Sequence, residues 1–207
     1  ELPPMPSPRE ACAVAAVAGA IAVFGGSHNE QALATAEWLR VDGLVWEELP
    51  PMPGGRDACA AAAAGGEAFV FGGREAGEFL ATVDRLDSKT RRWAALPPMH
   101  AARLGCAAAA SARVLYVVGG HGNGQALAAV ELFDLDRGVW DLLMPMPTPR
   151  LGCTALAVAG RICVFGGHDG QQAVGAAECL ELEGVQWLEL PPVPTPRYAC
   201  AGAATVG

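Results

Sequence analysis

Four histidines, seven cysteines and two tyrosines are the side chains of this sequence suited to metal or redox chemistry. The histidines are His28, His100, His121 and His168. His121 and His168 fall at equivalent places one repeat apart, but a metal site needs a third or fourth ligand and no motif supplies one. Five cysteines (Cys12, Cys59, Cys106, Cys153 and Cys200) share one repeat position, and Cys163 and Cys179 stand outside it. Without a Cys-x-x-Cys spacing, all seven read as small buried thiols of a reducing, cytoplasmic setting, with no disulfide and no cofactor expected. Neither a Gly-x-Ser-x-Gly elbow nor a Gly-Lys-Ser/Thr phosphate loop is present.

Arginine offers a different chemistry. Arg9, Arg56, Arg103, Arg150 and Arg197 recur at one step, and a guanidinium fork grips a carboxylate or phosphate with two parallel hydrogen bonds. Two fates are open. The forks could face a ligand at the mouth of a channel, or the recurrent acids Glu37, Asp84, Glu131 and Glu178 could consume them.

Composition narrows the partners. The 207 residues are 52% hydrophobic and 17% charged, which suits a packed domain and not a disordered chain. A net charge of −8 and a single lysine, Lys89, leave no basic patch for a phosphate backbone, so nucleic acid is not an expected partner. The longest apolar run, 11–26, falls short of the roughly 18 residues a spanning helix needs and recurs in register, so no membrane span is expected.

The elements that position these residues follow from a 47-residue period. Gly25-Gly26, Gly72-Gly73, Gly119-Gly120 and Gly166-Gly167 keep it, as do Trp46, Trp93, Trp140 and Trp187. Within each unit a proline-rich turn leads to the Arg, then to a strand of tiny residues and a bulkier strand that stops at Gly-Gly. A polar loop, an acid-bearing third strand and a Trp-bearing fourth follow. Small side chains in strand one and large ones in strand four describe a wedge. Units that radiate from an axis crowd at the centre and spread outside, so the pattern predicts an all-β propeller of four-stranded blades.

Gly-Gly ending strand two, an acid in strand three and a Trp opening strand four together resemble the kelch repeat. Met146-Pro147-Thr148-Pro149-Arg150 and Phe165-Gly166-Gly167-His168-Asp169-Gly170 carry the resemblance most clearly. The family's usual strand-three tyrosine is replaced by Leu39, Leu86, Phe133 and Leu180. The blades are expected at about 9–50, 56–97, 103–145 and 150–192, with an orphan inner strand at 198–206. The whole reads as an open arc of a longer ring of about six blades.

The resemblance implies a protein-interaction module, such as a ubiquitin-ligase substrate adaptor or a scaffold. Its alternative is a kelch-fold enzyme of the sugar-oxidase or sialic-acid-modifying type. It also implies that the loop after Gly-Gly and the turn before Arg face the ligand. The expected binding rim therefore comprises Arg9, Arg56, Arg103, Arg150, His28, Asn29, Arg74, His121, Asn123, His168 and Asp169. Its expected ligand is an acidic or phosphorylated peptide segment.

Overall fold

The computed structural model describes residues 2–203. Every regular element in it is a strand. Blade one contains β1 (Ala13–Val17), β2 (Ala20–Phe24), a two-residue-per-strand hairpin of β3 (Ser27–His28) and β4 (Gln31–Ala32), then β5 (Ala36–Arg40) and β6 (Val45–Leu49). Blade two repeats the plan with β7 (Ala60–Ala64), β8 (Glu67–Phe71), β9 (Arg74–Glu75), β10 (Glu78–Phe79), β11 (Val83–Asp87) and β12 (Arg92–Leu96). Blade three follows with β13 (Ala107–Ser111), β14 (Val114–Val118), β15 (His121–Gly122), β16 (Gln125–Ala126), β17 (Val130–Asp134) and β18 (Val139–Leu142). Blade four has β19 (Thr154–Val158), β20 (Arg161–Phe165), β21 (Ala177–Glu181) and β22 (Gln186–Leu190). Each blade is one antiparallel four-stranded sheet in chain order, and no pairing joins blade one to blade four among the described residues.

The inner strands show tertiary context overriding local preference. Ala60–Ala64 is five consecutive alanines, the best helix formers, yet it pairs residue for residue with Glu67–Phe71. Alanine is chosen for its size: β1 lies against β7, β7 against β13 and β13 against β19, at the crowded centre of the fan. Away from the axis the blades fill with larger groups. Phe24, Val70 and Leu86 share one buried cluster across blades one and two, and Phe71, Leu115 and Phe133 share the next.

Tryptophan fastens the outer strands. Each indole Nε1 donates to a backbone carbonyl 43 residues earlier: Trp46 to Pro3 (3.0 Å), Trp93 to Pro50 (2.8 Å), Trp140 to Pro97 (2.8 Å) and Trp187 to Met144 (3.0 Å). Trp93 also meets Phe24 of blade one edge-on at 5.8 Å. The rings are half-buried, with their edges reaching the surface. Trp38, whose counterparts are Arg85, Leu132 and Cys179, is buried between blades one and two beneath the Arg91 guanidinium, 4.8 Å from its ring centroid.

A second set of bonds crosses the blades at their inner ends. The amide of Ala58 donates to Ala11, Gly105 to Ala58, Gly152 to Gly105 and Ala199 to Gly152, at 2.7–2.9 Å. All five residues adopt a left-handed backbone, with φ between 49° and 60°. The last bond seats the start of a fifth unit on blade four. Of the inner strand expected at 198–206, residues 198–203 lie in no ladder. Its final residues, 204–206, fall outside the described ones.

The Gly-Gly pair is a blade-to-blade clamp. Gly26, Gly73, Gly120 and Gly167 donate to the carbonyls of Arg56, Arg103, Arg150 and Arg197 in the following unit, at 2.8–2.9 Å. A Cβ on Gly73 would stand 2.6 Å from the Asp57 carbonyl, at a φ of +98°. Gly77, in the loop just beyond, has a similar φ of +89° and nothing near its missing Cβ. Gly77→Ala is therefore expected to cost only the left-handed penalty of about 1–2 kcal/mol. Gly73→Ala must also displace backbone and should cost about 3 kcal/mol or more in urea unfolding. Equal costs would mean that the close approach at Gly73 is absent.

Candidate functional site

Four of the five recurrent arginines, Arg9, Arg56, Arg103 and Arg150, lie inside the blades, not at the channel mouth, and Arg197 is exposed. Arg103 and Arg150 are 0% exposed and Arg56 is 2% exposed. Each spans its own blade in the same way. Nη1 donates to the carbonyl of the first Gly-Gly residue and to a second carbonyl just before strand three. For Arg9 these are Gly25 (2.7 Å) and Thr35 (3.1 Å), and for Arg150 Gly166 (3.0 Å) and Ala176 (2.9 Å). Nη2 meets the recurrent acid: Arg9 with Glu37 at 3.0 Å, Arg56 with Asp84, Arg103 with Glu131, and Arg150 with Glu178 at 2.9 Å.

The expectation that Arg9, Arg56, Arg103 and Arg150 grip a ligand is corrected accordingly. A buried carboxylate is stable only when paired, and these guanidinium groups are its partners. The turn before each Arg tightens the same pocket. Ser7 and Thr148 donate hydroxyls to Glu37 (2.5 Å) and Glu178 (2.7 Å), and both the backbone amide and ring Nδ1 of His100 lie 2.8 Å from Glu131 Oε2. Blade two has Gly54-Gly55 in that turn and the shorter Asp84 opposite. Burial holds the Asp84 carboxyl above the usual carboxylate range, with Arg56 only partly opposing it.

The remaining rim residues are brought together. Single bridges join Glu10 to Ser27, Asp57 to Arg74, Leu104 to His121 and Leu151 to His168, so the Arg turn and the loop after Gly-Gly share one rim in every blade. His28, Asn29, Arg74 and Asn123 are exposed there. Asn29 (φ 49°) and Asn123 (φ 51°) occupy left-handed turn positions at the hairpin tips, which asparagine tolerates. Arg74 is partly engaged by Asp57 at 3.1 Å.

Three other members have local partners. The His121 ring packs edge-on against Phe79 of blade two at 5.5 Å, and His168 against Tyr198 at the same distance. The Asp169 carboxylate accepts the amides of Gln171 and Gln172, both at 2.8 Å, which hold it below the usual carboxylate range. It shapes a turn in blade four. Among the described residues no three His, Cys, Asp or Glu side chains converge as a metal site would require.

Sequence reasoning missed two features. His100 belongs to the rim, and its place three residues before Arg103 was the available signal. Cys163 and Cys179 form a disulfide, against the expectation that every cysteine is a free thiol. They sit directly opposite each other on β20 and β21, a register that spacing alone does not reveal.

The fold and its clamps define a kelch-type propeller. The chain belongs to the kelch-repeat family: residues 3–146 match the KLHDC2/KLHL20/DRC7 Kelch-repeats domain and residues 149–194 the Kelch motif. No curated protein matches it. Kelch-repeat domains are generally protein-interaction modules.

The inner cysteines give a pH test of the core. Burial pushes the thiols of Cys59 and Cys153 up to about 12 and that of Cys106 to about 11, with the nearby arginines opposing it. A raised folded-state value stabilises the fold fully below the unfolded value, about 8.5, and that stability is lost as pH rises toward the folded values. Between about pH 9 and 11 each thiol is expected to remove up to about 1.4 kcal/mol per pH unit. A Cys59→Ala/Cys106→Ala/Cys153→Ala variant should flatten that alkaline slope in urea unfolding. An unchanged slope would mean that these thiols ionise freely in the folded protein.

Proposed function

We propose that this chain is a protein-interaction module that holds an extended segment of a partner protein across the rim of Arg turns and post-Gly-Gly loops, in the manner of an adaptor or scaffold. One observation carries the reading. The loops at this rim differ from blade to blade, yet the same backbone bond anchors each: Leu33 to Gly26, Leu80 to Gly73, Leu127 to Gly120 and Val174 to Gly167, at 2.8–3.0 Å. A rigid scaffold presenting variable polar tips is what a recognition surface needs. The side chains of His28, Asn29 and Asn123 are not used by the blades beneath them.

The acidic or phosphorylated ligand expected from sequence rested on four guanidinium groups that are spent inside the blades. What faces a partner is Arg74 and the histidines, beside exposed Glu10, Glu30, Glu75 and Glu78. Such a mixed surface fits a peptide held by hydrogen bonds better than a phosphate clamp. The cytoplasmic setting proposed for this module rests on the five unpaired thiols.

The test is a paired set of surface variants measured against any partner the wild-type chain retains. A His28→Ala/Arg74→Ala/Asn123→Gly variant should weaken that binding about tenfold or more while lowering the melting temperature by only a few degrees, through the lost Arg74–Asp57 pair. Lys89→Glu, in a turn on the opposite rim, should leave affinity unchanged. The reverse pattern would place the site on the opposite rim.

A further inference from the structure

One backbone bridge joins the residue after each Arg to the residue after each Gly-Gly, but its two side chains change from blade to blade. In blades one and two they are polar: Glu10 beside Ser27, with 3.5 Å between their oxygens, and Asp57 with Arg74 at 3.1 Å. In blades three and four they are Leu104 with His121 and Leu151 with His168. Leu104, His121 and Leu151 are half-buried, so each keeps part of its surface open. Leu151 reaches the inner end of blade three, where a Cβ on Gly105 would stand 3.9 Å from its own Cβ. Phe79, on the blade-two hairpin, closes the other side, its ring meeting His121 edge-on at 5.5 Å. Its counterparts are Ala32, Ala126 and Ala173, so the aromatic belongs to this junction alone.

Charge divides along the same line. Glu10, Glu30, Glu75 and Glu78 are exposed on the rim of blades one and two, and none is in an ion pair among the described residues. The three arginines of that stretch, Arg9, Arg56 and Arg74, already have Glu37, Asp84 and Asp57 as partners. In blade three the rim segments 97–104 and 119–128 contain no acid at all. An apolar seat therefore lies next to a ledge of unpaired carboxylates.

We propose that the partner segment is basic, and that it sets one large apolar side chain against Phe79, Leu104, His121 and Leu151 while its Lys or Arg residues lie along the acids of blades one and two. The inference rests on this rim being the binding face and adds the chemistry of what binds there. The two halves do different work. Burial of the apolar side chain in the seat supplies affinity, and the carboxylates supply orientation and the rate of encounter. An acidic segment would meet four carboxylates with no free guanidinium to offset them, and like-charge juxtaposition rejects it.

The test is selection by the 207-residue chain from a displayed library of random linear peptides, followed by titration of the retained sequences as synthetic peptides. Retained peptides should carry a large apolar residue with Lys or Arg close by, and their affinity should fall as salt is raised. Leu104→Gln should weaken them about tenfold or more. Glu30→Lys/Glu78→Lys, which alters two exposed side chains, should weaken them by a similar factor, about tenfold, and turn a repeated selection toward acidic peptides. The charge reversal keeps the test decisive even where Leu104→Gln lowers stability. Enrichment of acidic or uncharged peptides by the wild-type chain, or unchanged affinity in either variant, would overturn the proposal. The rim itself would stand in that case if the His28→Ala/Arg74→Ala/Asn123→Gly variant still weakened binding. A library from which the wild-type chain retains nothing would overturn both.

Discussion

The buried arginine of each blade is the interaction on which the rest of the structure depends. One guanidinium accepts three jobs at once: it neutralises the acid of strand three, and it ties down the carbonyl that ends strand two and the carbonyl that precedes strand three. Its own backbone carbonyl then takes the amide of the preceding blade's second Gly-Gly residue. Intra-blade and inter-blade contacts therefore meet at a single residue, repeated every 47 positions.

Such a site is not a large source of net stability. Taking an ion pair out of water costs several kcal/mol per charge, and the pair and its hydrogen bonds roughly offset that cost. Its effect is on specificity. A strand slipped by one residue would leave a charge buried alone, and that penalty is what holds the strand-two to strand-three crossover in register. Stability comes instead from the apolar faces between blades and from the Trp anchors, so each blade is stabilised chiefly by its neighbours.

Much of this was legible in the sequence because the period is unbroken. Glycine pairs, arginines, acids and tryptophans at one step gave the four-stranded blade, its inner-to-outer order and the shared rim of Arg turn and loop. The fate of the arginines was not legible. Spacing places Arg103 and Glu131 28 residues apart, but a ligand-facing and an acid-facing guanidinium share the same spacing, and only burial separates them. The cysteines show the opposite limit. Five fell into the repeat and were read from it, whereas Cys163 and Cys179 break the period, and their pairing depends on a register seen only once the strands are laid side by side.

The most direct test of the arginine's role is a double-mutant cycle in blade two, where no Ser, Thr or His side chain also bonds the acid. Unfolding in urea would be measured for Arg56→Met, Asp84→Leu and the combined variant. Each single change strands a buried charge and should cost about 3–5 kcal/mol, while the combined change should cost at least about 2 kcal/mol less than their sum. Single costs below about 1 kcal/mol that simply add would show both groups solvated in the folded protein, and would return the arginine to the binding surface.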